Sequence, residues 1–283
     1  MREFWLILNV MDGSSLNRYN NRPIGIFDSG AGGLSVVKAF QEVLPWEDLI
    51  YFGDTARLPY GSKSREVVTE FALQISGFLR RKGVKILVVA CNTASAFSLP
   101  VLRKKLPIPV VGMIEPGAEA AVRRTQNRRV GVVGTRGTIE SGAYEKALKK
   151  ASSRLRVIGQ ACPLFVPLVE EGWWEKSETY SIAERYLNPL KRSGIDTLIL
   201  GCTHYPVIRH VFLKVLGSGL NLVDPGQEAS LCARSLLREK GLACEPGKKG
   251  ETIFFSSDAP DRFRELGMRF LGRPIREVHL KRF

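Results

Sequence analysis

The sequence predicts an α/β fold of two similar open-sheet domains, related by internal duplication, with the active site in the cleft between them. One observation is a run of five apolar residues, Ile86 to Ala90, which stops at Cys91 and two small polar residues. Unbroken apolar runs of this length are typical of strands buried on both faces of a parallel sheet. Another is a similar run, Leu198 to Leu200, which leads to Cys202. Ligands of open α/β sheets bind beyond the carboxyl ends of the strands, so both cysteines fall at a candidate site.

These two runs belong to a longer repeat. Three pairs of segments resemble one another at a nearly constant separation of about 110 residues, which indicates duplication. The pairs are 86–93 with 198–204, 24–32 with 130–138, and 114–120 with 223–229. The last pair contains Pro116-Gly117 and Pro225-Gly226, which we interpret as turns where the chain leaves the first half and where the second half ends.

Strands and helices are predicted to alternate along the chain, from apolar runs, helical spacing and Gly or Pro at their ends. The predicted strands are 24–27, 49–52, 86–90, 110–114 and 252–255, and the predicted helices are 34–44, 64–82, 93–105 and 228–240. The turn at 28–33 is rich in glycine. It is typical of an anion site at a helix N-terminus, and equally of a turn that needs glycine for steric reasons.

The domain boundaries follow from the repeat. Residues after Pro225 are too few for a third domain and pack most economically on the first half. We therefore expect a discontinuous first domain at 22–116 plus 226–283, a second domain at 117–225, and a poorly ordered N-terminal extension at 1–21. The apolar run Phe4 to Met11 is too short to span a membrane and precedes no cleavage site, so a cytoplasmic protein is expected.

Composition is that of a soluble globular protein, with 44% hydrophobic and 25% charged residues. The five cysteines are scattered without a Cys-x-x-Cys pair, which argues against a disulfide framework and fits a reducing compartment. The net charge is +14, with local clusters at Arg123-Arg124 and Arg128-Arg129. No nucleic-acid-binding signature accompanies this charge, so a solvated basic face is the preferred interpretation and nucleic acid is not an expected partner.

Two cysteines that face each other across a cleft suit a proton exchange on the two faces of one carbon. One thiolate removes a proton while the opposite thiol delivers one, and a thiol pKa of about 8.5 permits both roles. Asp28 and His204 also lie at strand ends, and we expect them to polarise Cys91 and Cys202, respectively. Neutral donors suited to hold a carboxylate without a metal follow the same strands: Ser29, Asn92, Thr93 and Thr203.

Other interpretations stay open at this point. A buried cysteine is often only a small hydrophobic residue, His204 alone is often a structural hydrogen-bonding group, and Asp28 is suited to cap the next helix. A Cys–His hydrolase would need one cysteine, and a zinc site would draw on Cys91, Cys202 and His204. A nucleic-acid-binding protein without enzymatic activity would rely on the net charge. The duplication of the cysteines favours the proton exchange.

Several longer motifs resemble those of the glutamate racemases, in the aspartate/glutamate racemase family. They follow one another in order from about Pro23 to the C-terminus. They are Asp28-Ser29-Gly30-x-Gly32-Gly33, Tyr51 to Gly61, Cys91-Asn92-Thr93-Ala94, Pro163 to Glu170, Gly201 to Pro206 and Phe254 to Asp258. Aspartate racemases share the paired cysteines, but the Pro59-Tyr60-Gly61 segment and the tail favour the glutamate group.

The resemblance implies an enzyme without cofactor or metal that interconverts L- and D-glutamate and supplies D-glutamate for peptidoglycan. It implies that Cys91 acts on the D-isomer and Cys202 on the L-isomer, assisted by Asp28, His204 and Glu170. The implied substrate contacts are Asp28, Ser29, Tyr60, Gly61, Asn92, Thr93, Thr203 and His204. Glutamate is then the expected partner, a membrane is not, and the oligomeric state stays open, a homodimer being one option.

Overall fold

The computed structural model describes residues 21–244, 246–247 and 249–283. The predicted extension at 1–21 therefore lies outside the described residues, apart from residue 21. The strands are β1 (Ile24–Asp28), β2 (Leu49–Gly53), β3 (Ile86–Val89), β4 (Val110–Val111), β5 (Arg129–Gly134), β6 (Arg156–Ala161), β7 (Thr197–Gly201), β8 (Asn221–Val223), β9 (Thr252–Ser256) and β10 (His279–Leu280). The helices are α1 (Leu34–Val43), α2 (Arg65–Arg81), α3 (Asn92–Lys105), α4 (Ile114–Arg124), α5 (Arg136–Glu140), α6 (Ala143–Ala151), α7 (Phe165–Glu170), α8 (Ser177–Arg192), α9 (Arg209–Leu216), α10 (Pro225–Glu239) and α11 (Pro260–Leu271).

Within the described residues these strands form two parallel sheets. The first has six strands in the order β10-β9-β2-β1-β3-β4, and the second has four in the order β6-β5-β7-β8. All of the pairings are parallel. The order β2-β1-β3-β4 of the first sheet recurs as β6-β5-β7-β8 in the second, which confirms the prediction of two similar α/β domains related by duplication.

The central strands are the apolar runs of the sequence. β1, β2, β3 and β7 are buried along their whole length, because helices cover both faces of a parallel sheet. After the second sheet the chain returns to the first, where β9 pairs with β2. The domain boundaries given above stay predictions.

Two local predictions are wrong. The strand predicted at 110–114 ends at Val111, and Ile114 already begins α4. Neither Pro-Gly step is a turn: Pro116-Gly117 lies inside the first turns of α4, and Pro225 is the first residue of α10. Proline fits the first turn of a helix as readily as a β-turn, because its missing N–H is not needed there.

The predicted basic cluster is partly neutralised by an acidic side chain of the same chain. Arg123 Nη2 lies 3.1 Å from Glu228 Oε2, and Arg124 bonds to the other oxygen of that carboxylate. In the part of the chain that the structure describes, none of the helices combines the length and apolar character needed to cross a bilayer.

Candidate active site

The carboxyl ends of β1, β3, β5 and β7 meet around one small cavity between the two sheets. Its volume is about 30 Å³, which leaves room for water-sized groups. Cys91 reaches it from the first sheet and Cys202 from the second, so both thiols open onto the same space. The lining residues are Ser29, Pro59, Tyr60, Gly61, Cys91, Asn92, Thr93, Thr135, Val166, Gly201, Cys202, Thr203 and His204.

Cys91 lies between β3 and α3, at the N-cap position of the helix. Its sulfur accepts the backbone N–H of Ala94 at 3.5 Å, and the side chain is buried. Burial, followed by the negative charge of Asp28, raises the pKa of the Cys91 thiol to about 12, although the Ala94 amide and the Ser29 hydroxyl oppose the rise. Cys91 is therefore a protonated thiol at neutral pH.

Asp28 ends β1 and has no exposed surface. One carboxylate oxygen accepts the N–H of Gly30 at 3.0 Å, and the other accepts the hydroxyl of Thr203, from the other half, at 3.5 Å. Burial raises the pKa of Asp28, and the charge of His204 is the largest influence that lowers it. The Asp28 carboxylate thus accepts a backbone N–H of the glycine-rich turn, that of Gly30. This N–H is one of those predicted to bind an anion.

Cys202 follows β7, and its sulfur is connected through a histidine to a carboxylate. His204 Nδ1 lies 3.8 Å from Cys202 Sγ, and His204 Nε2 lies 2.9 Å from Glu170 Oε1. Burial of the imidazole lowers its pKa, but the hydrogen bonds to Cys202 and Glu170 outweigh burial and raise the pKa of His204 to about 10. The ring is therefore an imidazolium at neutral pH, with one N–H toward the sulfur and one toward the carboxylate.

The His204–Glu170 pair is held by elements from both halves. Glu170 ends α7, and its backbone carbonyl accepts Arg269 Nη1 at 2.6 Å, which links α7 to α11. Gly32 lies against the imidazole so closely that a Cβ at that position would overlap the His204 ring. The glycine-rich turn therefore makes room for the histidine of the opposite half.

Seven of the eight predicted substrate contacts line this cavity, and Asp28 does not. Among the seven, Tyr60 and Thr93 direct their hydroxyls to other protein groups. The Tyr60 hydroxyl bonds to the buried carboxylate of Asp54, on the β2 side. The Tyr60 hydroxyl is therefore engaged by another protein group. The Thr93 hydroxyl lies 2.8 Å from that of Thr135.

Sequence reasoning missed the partner hydroxyls from the second half. Thr93, Thr135 and Thr138 hydroxyls form a closed triangle, with Thr93 from the first half and the other two near the start of α5. The repeat would have identified Thr135, because that residue occupies the position in 130–138 that Ser29 occupies in 24–32.

A zinc site at Cys91, Cys202 and His204 is one of the interpretations that the sequence leaves open. Among residues 21–244, 246–247 and 249–283, no group of three or more His, Cys, Asp or Glu side chains is placed to hold a metal ion.

Comparison with known proteins gives a consistent result. Residues 30–231 match the family model described as Asp/Glu/Hydantoin racemase. The glutamate racemase of Geobacter metallireducens is 49% identical over 258 residues, which cover 91% of this chain and 96% of that protein. A glutamate racemase isoform from Bacillus anthracis superposes with a TM-score of 0.90 at 38% identity, over 93% of this chain and 98% of that one. The Francisella tularensis glutamate racemase, solved in complex with D-glutamate, has a TM-score of 0.86 at 39% identity over the same shares.

Fold, paired thiols and relatives together define an isomerase of the amino-acid racemase class. The chain belongs to the Asp/Glu/Hydantoin racemase family, and the predicted resemblance to the glutamate racemases is confirmed.

Proposed function

We propose that this chain interconverts L- and D-glutamate by a two-base exchange, in which Cys91 and Cys202 act on opposite faces of the α-carbon. The observation that carries the proposal is that both thiols line one cavity from different sheets. The substrate assignment is supported by the relatives named glutamate racemase, one of them solved with D-glutamate.

In the direction from L to D, the Cys202 thiolate removes the α-proton. The His204 imidazolium stabilises that thiolate before the transfer, and Glu170 holds the ring in place. The Cys91 thiol then gives its proton to the opposite face of the carbon, which leaves a thiol at Cys202 and a thiolate at Cys91. The reverse reaction starts from that second state, so each turnover exchanges the two protonation states.

The substrate carboxylates need neutral donors. Donors are present at the N-terminus of α3, where Asn92 and Thr93 lie, and in Thr203 and the Tyr60-Gly61 backbone.

The proposal extends to the cell: the enzyme supplies D-glutamate for peptidoglycan in the cytoplasm. The similarity to bacterial glutamate racemases supports this role. A bacterial strain that requires D-glutamate should grow without it when it expresses this chain. The Cys91→Ser variant, expressed equally, should fail to restore growth.

The direct test is incubation with L-glutamate in D₂O without added cofactor. Circular dichroism should decay to zero as D-glutamate accumulates. Because each thiol serves one face, deuterium should enter the α-carbon of the D-isomer before it enters the remaining L-isomer. No decay would overturn the racemase proposal, and equal early labelling of both isomers would overturn the two-base mechanism.

Substrate length provides a second test. Aspartate is one methylene shorter, so its distal carboxylate would leave more than one buried donor unpaired, and unpaired donors discriminate far more strongly than lost apolar contact. We expect kcat/KM for glutamate to exceed that for aspartate at least about a hundredfold. Comparable values would contradict the glutamate assignment while leaving the racemase chemistry intact.

A further inference from the structure

Tyr144, on α6, contacts the neighbours of both catalytic cysteines. Its hydroxyl donates to Asn92 Oδ1 at 2.6 Å, and Asn92 directly follows Cys91. Its ring packs on Gly201, which directly precedes Cys202. One buried side chain from the second half therefore reaches the turns that carry both thiols.

The ring of Tyr144 fits a slot between two glycines. A Cβ at Gly201 would lie 3.2 Å from Tyr144 Cε2, and one at Gly117 would lie 3.3 Å from Cε1. Only 3% of the residue is exposed. Burial, then the charges of Asp224 and Cys202, raise the pKa of Tyr144 well above its ordinary value, so the hydroxyl keeps its proton and acts as a donor.

The bond from Tyr144 fixes which end of the Asn92 amide faces the cavity. Asn92 lines the cavity and is 4% exposed. Its oxygen is occupied by the tyrosine hydroxyl, whereas its amide nitrogen donates to no acceptor within the described residues. An amide held by its oxygen presents two N–H donors on the other side, where a carboxylate can accept them.

We propose that Tyr144 is a positioning residue, which orients the Asn92 amide so that its NH₂ group meets a substrate carboxylate. This inference rests on the proposed racemisation of glutamate at the same cavity. Without the hydroxyl, the amide is free to turn its oxygen toward the carboxylate, and that orientation repels the substrate.

The first experiment compares Tyr144→Phe with the wild type. The variant keeps the ring in its slot, so we expect KM for both enantiomers to rise about fivefold to tenfold, with kcat changed less than about threefold, as for the loss of one buried hydrogen bond. Tyr205→Phe is the matched control, since its buried hydroxyl donates to the Cys162 carbonyl at 2.9 Å. It should lower the melting temperature to a similar extent and leave KM within about twofold.

The second experiment separates amide orientation from a general structural effect. Asn92→Ser removes the amide, so adding Tyr144→Phe to it should raise KM no further. If turnover of the Asn92 variants is too slow to follow, the Kd of D-glutamate from calorimetry gives the same comparison. It is measured for the wild type, the two single variants and the double variant.

Three results would overturn the positioning role. The first is a KM of Tyr144→Phe within about twofold of the wild-type value. The second is a rise in KM on adding Tyr144→Phe that is as large in the Asn92→Ser background as in the wild type. The third is a Tyr144→Phe variant in which only kcat changes. A wild-type protein that racemises no glutamate would instead remove the proposed function, before any variant is compared.

Discussion

The two halves of the site share one strand-turn-helix plan and differ in the charge beside the thiol. Near Cys91, β1 ends in Asp28, a buried carboxylate whose counterpart in the second half is Gly134. Near Cys202, an imidazolium lies against the sulfur, contributed by His204. The repeat thus has a thiol at each of two equivalent strand ends, with an anion near one and a cation near the other.

This difference gives the two copies of one repeated unit distinct electrostatic surroundings for their thiols. An anion near Cys91 raises its pKa and keeps the proton on that sulfur, whereas the group beside Cys202 is the His204 imidazolium. The proposed two-base exchange needs opposite protonation states at the two sulfurs at the start of each turnover. Because enantiomers are equal in free energy, kcat/KM must be the same in both directions, and the asymmetry appears only in kcat and KM separately.

The largest expected effect comes from the thiols themselves. Cys91→Ser and Cys202→Ser should each lower kcat/KM for racemisation at least about a thousandfold in both directions, because each direction needs both groups. A glutamate analogue with a leaving group on the β-carbon needs only one base for elimination. Cys91→Ser should still eliminate from the L-analogue and Cys202→Ser from the D-analogue.

The opposite selectivity in that assay would reverse the assignment of each cysteine to one enantiomer. A nearly silent variant at either position would favour a single-cysteine enzyme, such as a Cys–His hydrolase.

The next effect tests the anion beside Cys91. In the Cys202→Ser background, Asp28→Asn should lower the apparent pKa of Cys91 by about one unit, because a negative neighbour is removed. The pH dependence of Cys91 alkylation by iodoacetamide measures this. Near neutral pH the alkylation rate should rise about tenfold, and an unchanged profile would assign the raised pKa to burial alone.

A smaller effect tests the carboxylate behind the imidazolium. Glu170→Gln retains a hydrogen-bonding group at His204 Nε2 but removes the charge, so kcat/KM should fall about fivefold to tenfold. Its neighbour Glu171 provides a matched control, since it is exposed and pairs with Arg262 at 3.2 Å. Glu171→Gln should stay within about twofold of the wild type, and equal losses in the two variants would contradict the role of Glu170.

The smallest expected effect concerns stability. The folded-state pKa of His204, about 10, lies above the ordinary value of 6.5, so the folded state binds the proton more tightly than the unfolded chain. The protonated His204 therefore contributes to the free energy of unfolding. This contribution is complete below about pH 6.5 and is lost as the pH rises through about 10. The difference in unfolding free energy between wild type and His204→Gln, from urea denaturation, should shrink across that interval. A constant difference would mean that the imidazole is neutral in the folded protein.

Part of this design was already determined by the sequence. The apolar runs that end at Cys91 and Cys202 predicted both the strands and the place of the thiols, because strands buried on both faces of a parallel sheet are near-continuous apolar runs. The constant spacing of the repeats predicted two similar sheets, and the observed strand orders agree. The turns predicted at the two Pro-Gly steps are wrong, because proline suits a turn and the start of a helix equally well.

Only the tertiary structure decided which groups face each thiol across the cleft. Asn92 and Tyr144 are 52 residues apart, and Glu170 and His204 are 34 apart, yet each pair shares a hydrogen bond. No local pattern encodes such a contact, because it depends on how α6 and α7 dock against the strand ends. The electrostatic difference between the two half-sites arises in the same way, since burial and a neighbouring charge shift a pKa only once the chain has folded around the group.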